Sequence, residues 1–375
     1  MNISDVATLS KISFNPMELG AKEREYVLEC VDSTWISSVG RFITEFEQGI
    51  ATLTGAETAI ACTNGEIAVH LALVALGIGA GDEVILPSLA DVAMANAVIN
   101  CGATPVFIDN CAHRLTLDAS QLEALVTPRT KAVFAPQTYG NFCDNESIHD
   151  FAKSNNLRVL IEATHALGYK YNCESICGLC DCIIFNFSGN TIINTGEGGA
   201  IATSNTDLAA KIRLLRGQGM DPNRRYWFPV VGYNYRMTNI QAAIGLAQLE
   251  GAGERRSARS QVRSWYRTKL AALEDRVIDV GAHEEGSEAV GLCTVLLRQS
   301  AQRDRVVGAL QAAGIECRPV FTPVHLMPPY ARFADKRLPQ AEASGAAGLN
   351  LPIHARLSEG DVERVVTALD EATRS

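Results

Sequence analysis

The sequence predicts an α/β fold with a mostly parallel central sheet, and three observations support this prediction. Short apolar runs alternate with helical patterns along the first two thirds of the chain. The runs are apolar throughout, so both faces of each strand should be covered, as in parallel sheets flanked by helices. The chain has 375 residues, 47% of them hydrophobic, which suffices for a large domain and a smaller one.

Five apolar runs predict strands of this sheet, because each is short and bounded by polar or turn-forming residues. They cover residues 84–87, 105–108, 132–135, 159–161 and 182–185. Helical patterns occupy the intervening segments, as at 67–76 and 147–155.

Near Gly251 the alternation of apolar runs and helical patterns gives way to a charged stretch. Residues 255–273 are charged and helix-prone, and a strand at 292–297 and helices at 302–313 and 358–373 follow. We therefore expect a large domain over residues 1–250 and a small α/β domain over residues 251–375.

Charge and hydropathy exclude several classes of partner. The net charge is −9 and no basic stripe is visible, so neither nucleic acid nor a membrane surface is expected as a partner. Residues 1–5 show no charged segment followed by an apolar run, and no apolar window is long enough to span a membrane. The sequence therefore predicts a soluble, cytoplasmic protein without a signal peptide, acting on a small molecule.

Eleven cysteines are present, and most lie in apolar stretches. Buried reduced thiols that act as small hydrophobic side chains explain most of them. The spacing of Cys173, Cys177 and Cys180, with Cys182 following, is found in iron–sulfur ligation, but a loop and hairpin with tolerated cysteines is the favoured explanation. We therefore assign no metal site.

An ordered set of further segments carries a family resemblance. The segments are Ser33-Thr34-Trp35-Ile36-Ser37, Gly77 to Val84, Gly102 to Val106, His165 to Gly168, Thr195 to Gly199, and Gly232-Tyr233-Asn234-Tyr235-Arg236-Met237. Together they resemble the nucleotide-sugar aminotransferases of the DegT type. Arg225-Tyr226-Trp227 before the last segment is similar to the perosamine-synthase branch of that family.

The resemblance implies a pyridoxal-phosphate (PLP)-dependent transferase fold of type I. Such a fold has a mostly parallel seven-stranded large domain and a small C-terminal α/β domain. The resemblance also implies a homodimer with its active site between the domains, at the dimer interface. A fold does not fix a function, so the site must be examined residue by residue.

The lysine that holds PLP in this family has no counterpart here. PLP chemistry uses a lysine to form the Schiff base and to shuttle the proton. The family pattern Phe-Ser-Phe-Tyr-Gly-Asn-Lys corresponds to Phe185-Asn186-Phe187-Ser188-Gly189-Asn190-Thr191. Thr191 stands at the lysine position, and a threonine cannot form an imine.

Other family contacts to PLP are altered as well. Glu162, three residues before His165, replaces the aspartate that pairs with the pyridinium nitrogen. Asp91 replaces the aromatic ring that stacks on the cofactor. Asn186 replaces a phosphate-binding serine, and Gly65-Glu66 replaces the Gly-Thr that opens the phosphate-binding helix.

Glu66 is expected to weaken phosphate binding strongly. A carboxylate about 4 Å from a phosphate oxygen repels it by roughly 4 kcal/mol at an effective dielectric constant of about 20. Since each 1.4 kcal/mol is about tenfold in affinity, the change corresponds to roughly a thousandfold. On this reasoning we expect no cofactor.

We therefore expect a lyase, isomerase or dehydratase that acts on a nucleotide sugar or another small polar metabolite without PLP. The candidate catalytic residues are Glu66, Asp91, Glu162, His165 and Thr191, because clustered carboxylates and a histidine suit acid–base chemistry. Two alternatives stay open: a non-catalytic subunit of an active paralogue, and a sugar aminotransferase or dehydratase that retains PLP or pyridoxamine phosphate (PMP).

The remaining assignments follow from the resemblance. The former PLP pocket would comprise Gly65, Asn186 and Asn234. The predicted substrate-binding residues are Trp35, Tyr233, Arg236, Arg318 and His325. Packing at the domain junction is an equal alternative for Arg318 and His325.

Overall fold

The computed structural model describes residues 11–171, 175–189, 191–281, 290–334 and 336–374. The first residues, on which the prediction of no signal peptide depends, lie outside these ranges, as do Cys173 and Asn190. In the described part of the chain, no helix is both long and apolar enough to cross a membrane.

A seven-stranded mixed sheet forms the centre of the larger part. Its spatial order is β1-β7-β6-β5-β4-β2-β3. Neighbouring strands from β6 to β3 are parallel, whereas β7 is antiparallel to both β1 and β6. The strands are β1 (Thr58–Cys62), β2 (Glu83–Pro87), β3 (Thr104–Ile108), β4 (Thr130–Pro136), β5 (Arg158–Glu162), β6 (Cys182–Asn186) and β7 (Gly199–Thr203).

Helices cover both faces of this sheet and form two apolar cores with it. They are α1 (Ala21–Asp32), α2 (Arg41–Thr54), α3 (Gly65–Ala75), α4 (Val92–Asn100), α5 (Asn145–Ser154), α6 (Thr206–Arg216) and α7 (Asn239–Glu250). Side-chain caps define where several of them begin, because an N-cap oxygen satisfies a free N–H of the first turn. Asn64 caps α3, Asn205 caps α6 and Thr238 caps α7.

The C-terminal part is built on an antiparallel four-stranded sheet of order β10-β11-β9-β8. Its strands are β8 (Val277–Asp279), β9 (Cys293–Leu297), β10 (Arg318–Pro319) and β11 (Gly348–Leu351). Its helices are α8 (Ala252–Leu270), α9 (Arg303–Ala312), α10 (Pro339–Ala347) and α11 (Glu359–Arg374). A third apolar core lies beneath this sheet.

Hydrogen bonds join the C-terminal part to the strand ends of the large sheet. Asp109, just after β3, accepts bonds from the backbone N–H groups of Gln340 and Ala341 in the first turn of α10. The backbone N–H of Phe321 donates to the Tyr139 hydroxyl at 2.9 Å. These contacts hold the C-terminal part against the edge of the sheet where β2, β4, β5 and β6 end.

The α/β architecture and the seven-stranded sheet confirm the predicted fold class. All five predicted strands coincide with β2 to β6, and the predicted helices coincide with α3, α5, α9 and α11 within about two residues. The boundary near Gly251 falls between α7 and α8 and stays a prediction.

Candidate active site

A cavity of about 270 Å³ lies at the carboxyl ends of three adjacent parallel strands. Pro136, Glu162 and Asn186, which line it, are the last residues of β4, β5 and β6. Residues of the C-terminal part, including Arg318 and Phe321, close the opposite side. Ligands of open α/β sheets bind at this edge, beyond the carboxyl ends of the strands.

Helix α3 begins at the cavity wall. The Asn64 side chain accepts a hydrogen bond from the Ile67 N–H at 2.9 Å, and the other early N–H groups of the helix have no intrahelical partner. A Cβ at Gly65 would lie 2.6 Å from the Cβ of Asn186. Only glycine therefore lets the N-terminus of α3 come this close to β6. The positive end of the α3 dipole favours an anion at this place.

The Glu66 carboxylate is engaged at one side of the cavity. Its Oε2 accepts a hydrogen bond from the Asn96 amide at 3.3 Å. The Asn96 oxygen in turn accepts a bond from the Tyr330 hydroxyl. Two hydrogen bonds thus connect Tyr330, Asn96 and Glu66 and orient the Glu66 carboxylate toward Asn96. The sequence did not indicate this connection.

Asp91 caps a helix as well as lining the cavity. Its Oδ1 accepts a hydrogen bond from the Ala93 N–H at 2.9 Å, at the start of α4. Its charge also contributes to the raised pKa of Glu162. Asp91 therefore has a structural role that its residue type and position before a helix could have indicated.

Glu162 and His165 are the titratable groups at the floor of the cavity. Burial raises the pKa of Glu162 to about 7, although its hydrogen bond from the Thr164 N–H at 2.8 Å opposes the shift. Burial also lowers the pKa of His165 to about 4, and the positive charge of Arg259 lowers it further. His165 is therefore neutral at pH 7, and its ring has no hydrogen-bond partner among the described residues.

Thr191 lies on the loop between β6 and β7 and lines the same cavity. Its hydroxyl donates to the carbonyl oxygen of Ile193. The Asn194 amide donates to the carbonyl of Gly189 at 2.9 Å, and the Gly196 N–H donates to the Asn194 oxygen at 2.8 Å. The loop is thus held by its own hydrogen bonds.

The structure brings all five predicted catalytic residues to one cavity, but not all of the predicted substrate-binding residues. Arg318 lines the cavity, with its guanidinium 4.9 Å from the centre of the Phe14 ring. His325 is buried behind it, with Nδ1 2.6 Å from the Ser88 hydroxyl. The roles of these residues stay predictions.

The other predicted binding residues lie outside this cavity in the described chain. The Tyr233 ring stacks on Tyr235 at 4.7 Å, and Trp35 is 56% exposed. Asn234 lines a separate surface groove beside Val231, which is 90% exposed. Arg236 lies close to the backbone of Gly217.

Sequence reasoning missed Tyr139 and Arg259. Tyr139 follows β4, and its ring centre lies 6.3 Å from that of His165. Its position just after a predicted strand was the available signal. Arg259, on α8, is 4% exposed and donates to Asn15 and to the carbonyl of Gly291; nothing in the sequence marked it.

The described cysteines of the predicted cluster are free thiols. Burial raises the pKa of Cys180 and Cys182 well above the usual value. Within the described ranges, no group of three or more histidine, cysteine, aspartate or glutamate side chains is arranged to hold a metal ion.

Comparison with known proteins assigns the chain to a family. A model of the DegT/DnrJ/EryC1/StrS aminotransferase family matches residues 17–370. The chain belongs to this family. This confirms the resemblance that its ordered sequence segments indicated.

Among members of the DegT/DnrJ/EryC1/StrS family, the chain is similar to the GDP-perosamine synthase of Caulobacter vibrioides. The two are 55% identical over 98% of this chain and 99% of the relative. The GDP-perosamine synthase of Escherichia coli O157:H7 is 40% identical over 94% and 96%. The structure is similar to that of S. venezuelae DesV in complex with a ketimine intermediate, with a TM-score of 0.91, 30% identity and coverage of 97% and 99%.

These relatives correct two expectations. The expectation of an enzyme that works without PLP is contradicted by the similarity of the chain to sugar aminotransferases. The expectation of no cofactor is wrong for the same reason. The sequence argument took the changes at Thr191, Glu66 and Asp91 to exclude the cofactor, whereas the structure retains the helix end at Gly65 and a buried carboxylate at Glu162.

The cavity fits two non-covalent contacts of PLP, those to its phosphate and its ring nitrogen, but not the covalent one. The α3 N-terminus and the side-chain nitrogen Nδ2 of Asn186 suit a phosphate. The Asn186 backbone N–H donates to Thr164 and its Oδ1 accepts from Ser188, whereas Nδ2 has no hydrogen-bond partner among the described residues. Glu162 suits a ring nitrogen. None of the chain's eight lysines, all within the described ranges, lines the cavity.

Proposed function

We propose that this chain is a PLP-dependent enzyme of nucleotide-sugar biosynthesis that aminates a GDP-linked keto sugar. The similarity to GDP-perosamine synthases along nearly the whole chain supports the sugar and its nucleotide. The observation that carries the proposal is the cavity, which combines a helix N-terminus, a buried carboxylate and a neutral histidine at the sheet edge.

The residues that would hold the cofactor follow from the geometry. The α3 N-terminus at Gly65 and the Asn186 amide would bind its phosphate, and Glu162 would accept a hydrogen bond from its ring nitrogen. When bound in its aminated form, PMP, the cofactor supplies the amino group and acts as the electron sink.

His165 is the group that we assign to proton transfer. Its low pKa keeps a lone pair on the ring at neutral pH, and its ring nitrogens have no protein partner among the described residues. A base that is neutral and unpaired can take up a proton inside the cavity and return it at a neighbouring atom. Glu162 cannot share this role while it accepts a hydrogen bond from the ring nitrogen.

Arg318 is the cation that we assign to the substrate. Its guanidinium lies at the side of the cavity formed by the C-terminal part. A guanidinium binds phosphate oxygens through two parallel hydrogen bonds. Arg318 would therefore anchor the diphosphate of the GDP-linked sugar.

The test is direct formation of product. The purified chain is incubated with excess PMP and the GDP-linked keto sugar that corresponds to GDP-perosamine, and the amine is measured by mass spectrometry. We expect amine only in the presence of PMP. Absence of amine under saturating PMP would overturn the proposal.

Two variants sharpen the test. Arg318→Gln should raise KM for the nucleotide sugar and leave PMP affinity unchanged. Arg158→Gln, which removes an ion pair with Asp181 at the start of β5, the opposite end of the strand from the cavity, is the matched control and should leave KM unchanged.

A further inference from the structure

The cavity offers no amine to which the cofactor could be attached. Thr191 occupies the loop position that faces the cavity, and its hydroxyl is already bonded to Ile193. The lysines lie elsewhere: Lys22 pairs with Glu250, Lys269 with Glu359 and Glu363, and Lys11 with Glu316. Lys131, Lys153, Lys170, Lys211 and Lys336 are exposed on the surface.

The loop around Thr191 also has little freedom to bring another group into place. Asn194 bonds to Gly189, and Thr195 bonds to the carbonyl of Glu197 at 2.8 Å. Thr195 also donates its backbone N–H to Phe187, at the start of the loop. Because these bonds close the loop on itself, the side chain at position 191 keeps its place at the cavity wall.

We infer that the chain uses PMP as a co-substrate that enters and leaves with each reaction rather than as a tethered cofactor. The inference rests on the proposed function. A cofactor held only by the helix end, the Asn186 amide and Glu162 is in exchange with solution, since every one of these contacts is reversible. In the tethered case, a lysine would keep PLP in the site until an amino-acid donor returned it to PMP there.

The transfer balances without a further reactant. The ketone carbon of the sugar gains a nitrogen and a hydrogen and loses its oxygen, so it is reduced to an amine. The aminomethyl carbon of PMP loses its nitrogen and a hydrogen and takes an oxygen from water, so it is oxidised to the aldehyde of PLP. The ketone oxygen leaves as water, so one water is released for each one consumed. Keto sugar and PMP therefore give amino sugar and PLP, one for one.

This stoichiometry assigns the chain a place in a reaction sequence. Each amino sugar consumes one PMP, so a separate reaction must convert the released PLP back to PMP. That reaction must be catalysed by a transaminase with a lysine and an amino-acid donor. The partner acts through free PMP and needs no contact with this chain.

The experiment measures binding first, without reference to activity. The chain is loaded with PLP, treated with borohydride and digested, and each lysine peptide is examined by mass spectrometry. We expect no phosphopyridoxyl-lysine, and complete loss of cofactor on gel filtration. Thr191→Lys is the matched variant, and we expect it to retain the adduct at position 191. An adduct on any lysine of the wild-type chain would overturn the inference.

The second measurement counts products. With a limited amount of PMP, we expect amino sugar to stop at one equivalent per PMP and free PLP to pass an ultrafiltration membrane in equal amount. Glutamate alone should add no further product, whereas glutamate with a lysine-bearing transaminase should raise the yield manyfold.

The outcomes separate the two proposals. More than one amine per PMP with glutamate alone overturns the exchange of PMP and leaves the proposed function intact. No amine at all, even with PMP in excess and PMP binding demonstrated, overturns the proposed function itself.

Discussion

The hydroxyl oxygen of Ser88 lies 2.6 Å from Nδ1 of His325, and both side chains are buried. Ser88 directly follows β2, and His325 belongs to the C-terminal part. The carbonyl of Ser88 also accepts the N–H of Val324 at 2.8 Å. The pair is therefore a joint between the two parts of the chain, behind the cavity wall.

Ser88→Ala should lower the free energy of unfolding by about 1–3 kcal/mol, because it leaves a buried ring nitrogen unpaired. Urea denaturation measures the change. Ser154→Ala, which removes an exposed hydroxyl bonded to the Asp150 carbonyl, is the control. If His325 instead binds substrate, His325→Ala will raise KM while stability stays unchanged.

Glu162 should make the protein less stable as the pH rises from about 4.5 to about 7. Its pKa is raised to about 7 in the folded chain from 4.5, so the unfolded chain releases this proton first and unfolding becomes easier over that range. Glu162→Gln keeps an oxygen for the Thr164 N–H and removes the effect. We expect the variant to gain up to about 3 kcal/mol at pH 8, since one pKa unit corresponds to about 1.4 kcal/mol.

Asp91→Asn is the companion to this test. The amide oxygen can still cap α4, but the charge that helps to raise the pKa of Glu162 is gone. The pH window of the stability change should move to lower pH. An unchanged window would show that burial alone sets the pKa of Glu162.

Glu66→Thr should tighten PMP binding by about tenfold to a thousandfold. The change removes a carboxylate from the first turn of α3, next to the expected phosphate site, and the repulsion of about 4 kcal/mol at 4 Å sets the upper limit. Fluorescence titration with PMP measures it. Asn96→Ala, which frees the Glu66 carboxylate from its partner, should weaken binding. Equal affinity for all three proteins would mean that Glu66 points away from the phosphate.

His165→Gln should lower the rate of amination by about a hundredfold to ten-thousandfold, the range typical of a positioned acid–base group. PMP affinity should change little, because the residue has no assigned contact to phosphate or ring nitrogen. His165 itself should contribute no titration to the rate near pH 6.5, since its pKa lies at about 4, so any titration there should be the same in wild type and variant. A rate that falls below pH 6.5 in wild type but not in the variant would contradict this.

The sequence was a good guide to the parallel strands and a poor one to the antiparallel side of the sheet, where β1 lies. Strands β2 to β6 are apolar runs, and all five were predicted. Strand β1 was missed because Thr58-Ala59-Ile60-Ala61-Cys62 contains two alanines, which favour helices rather than strands.

The sequence indicated which residues converge on one cavity but not their partners. Motif spacing grouped Glu66, Glu162 and Thr191, and all three line that cavity, while their roles stay predictions. No local pattern could show that Asn96 and Tyr330, which lie 30 and 264 residues beyond Glu66, would orient its carboxylate. That contact depends on how the C-terminal part packs, which no sequence pattern describes.

The pairing of β1 with β7 has a consequence for biosynthesis. Cys62 lies opposite Gly199 and Thr58 opposite Thr203. Strand β1 therefore cannot pair until β7, about 140 residues later in the chain, has been synthesised. At about 5–20 residues per second, this takes roughly 7 to 28 s on the ribosome. During that interval the backbone N–H and C=O groups of β1 that pair with β7 lack their partners on the nascent chain. Translation speed and chaperone supply should therefore influence the yield of this protein.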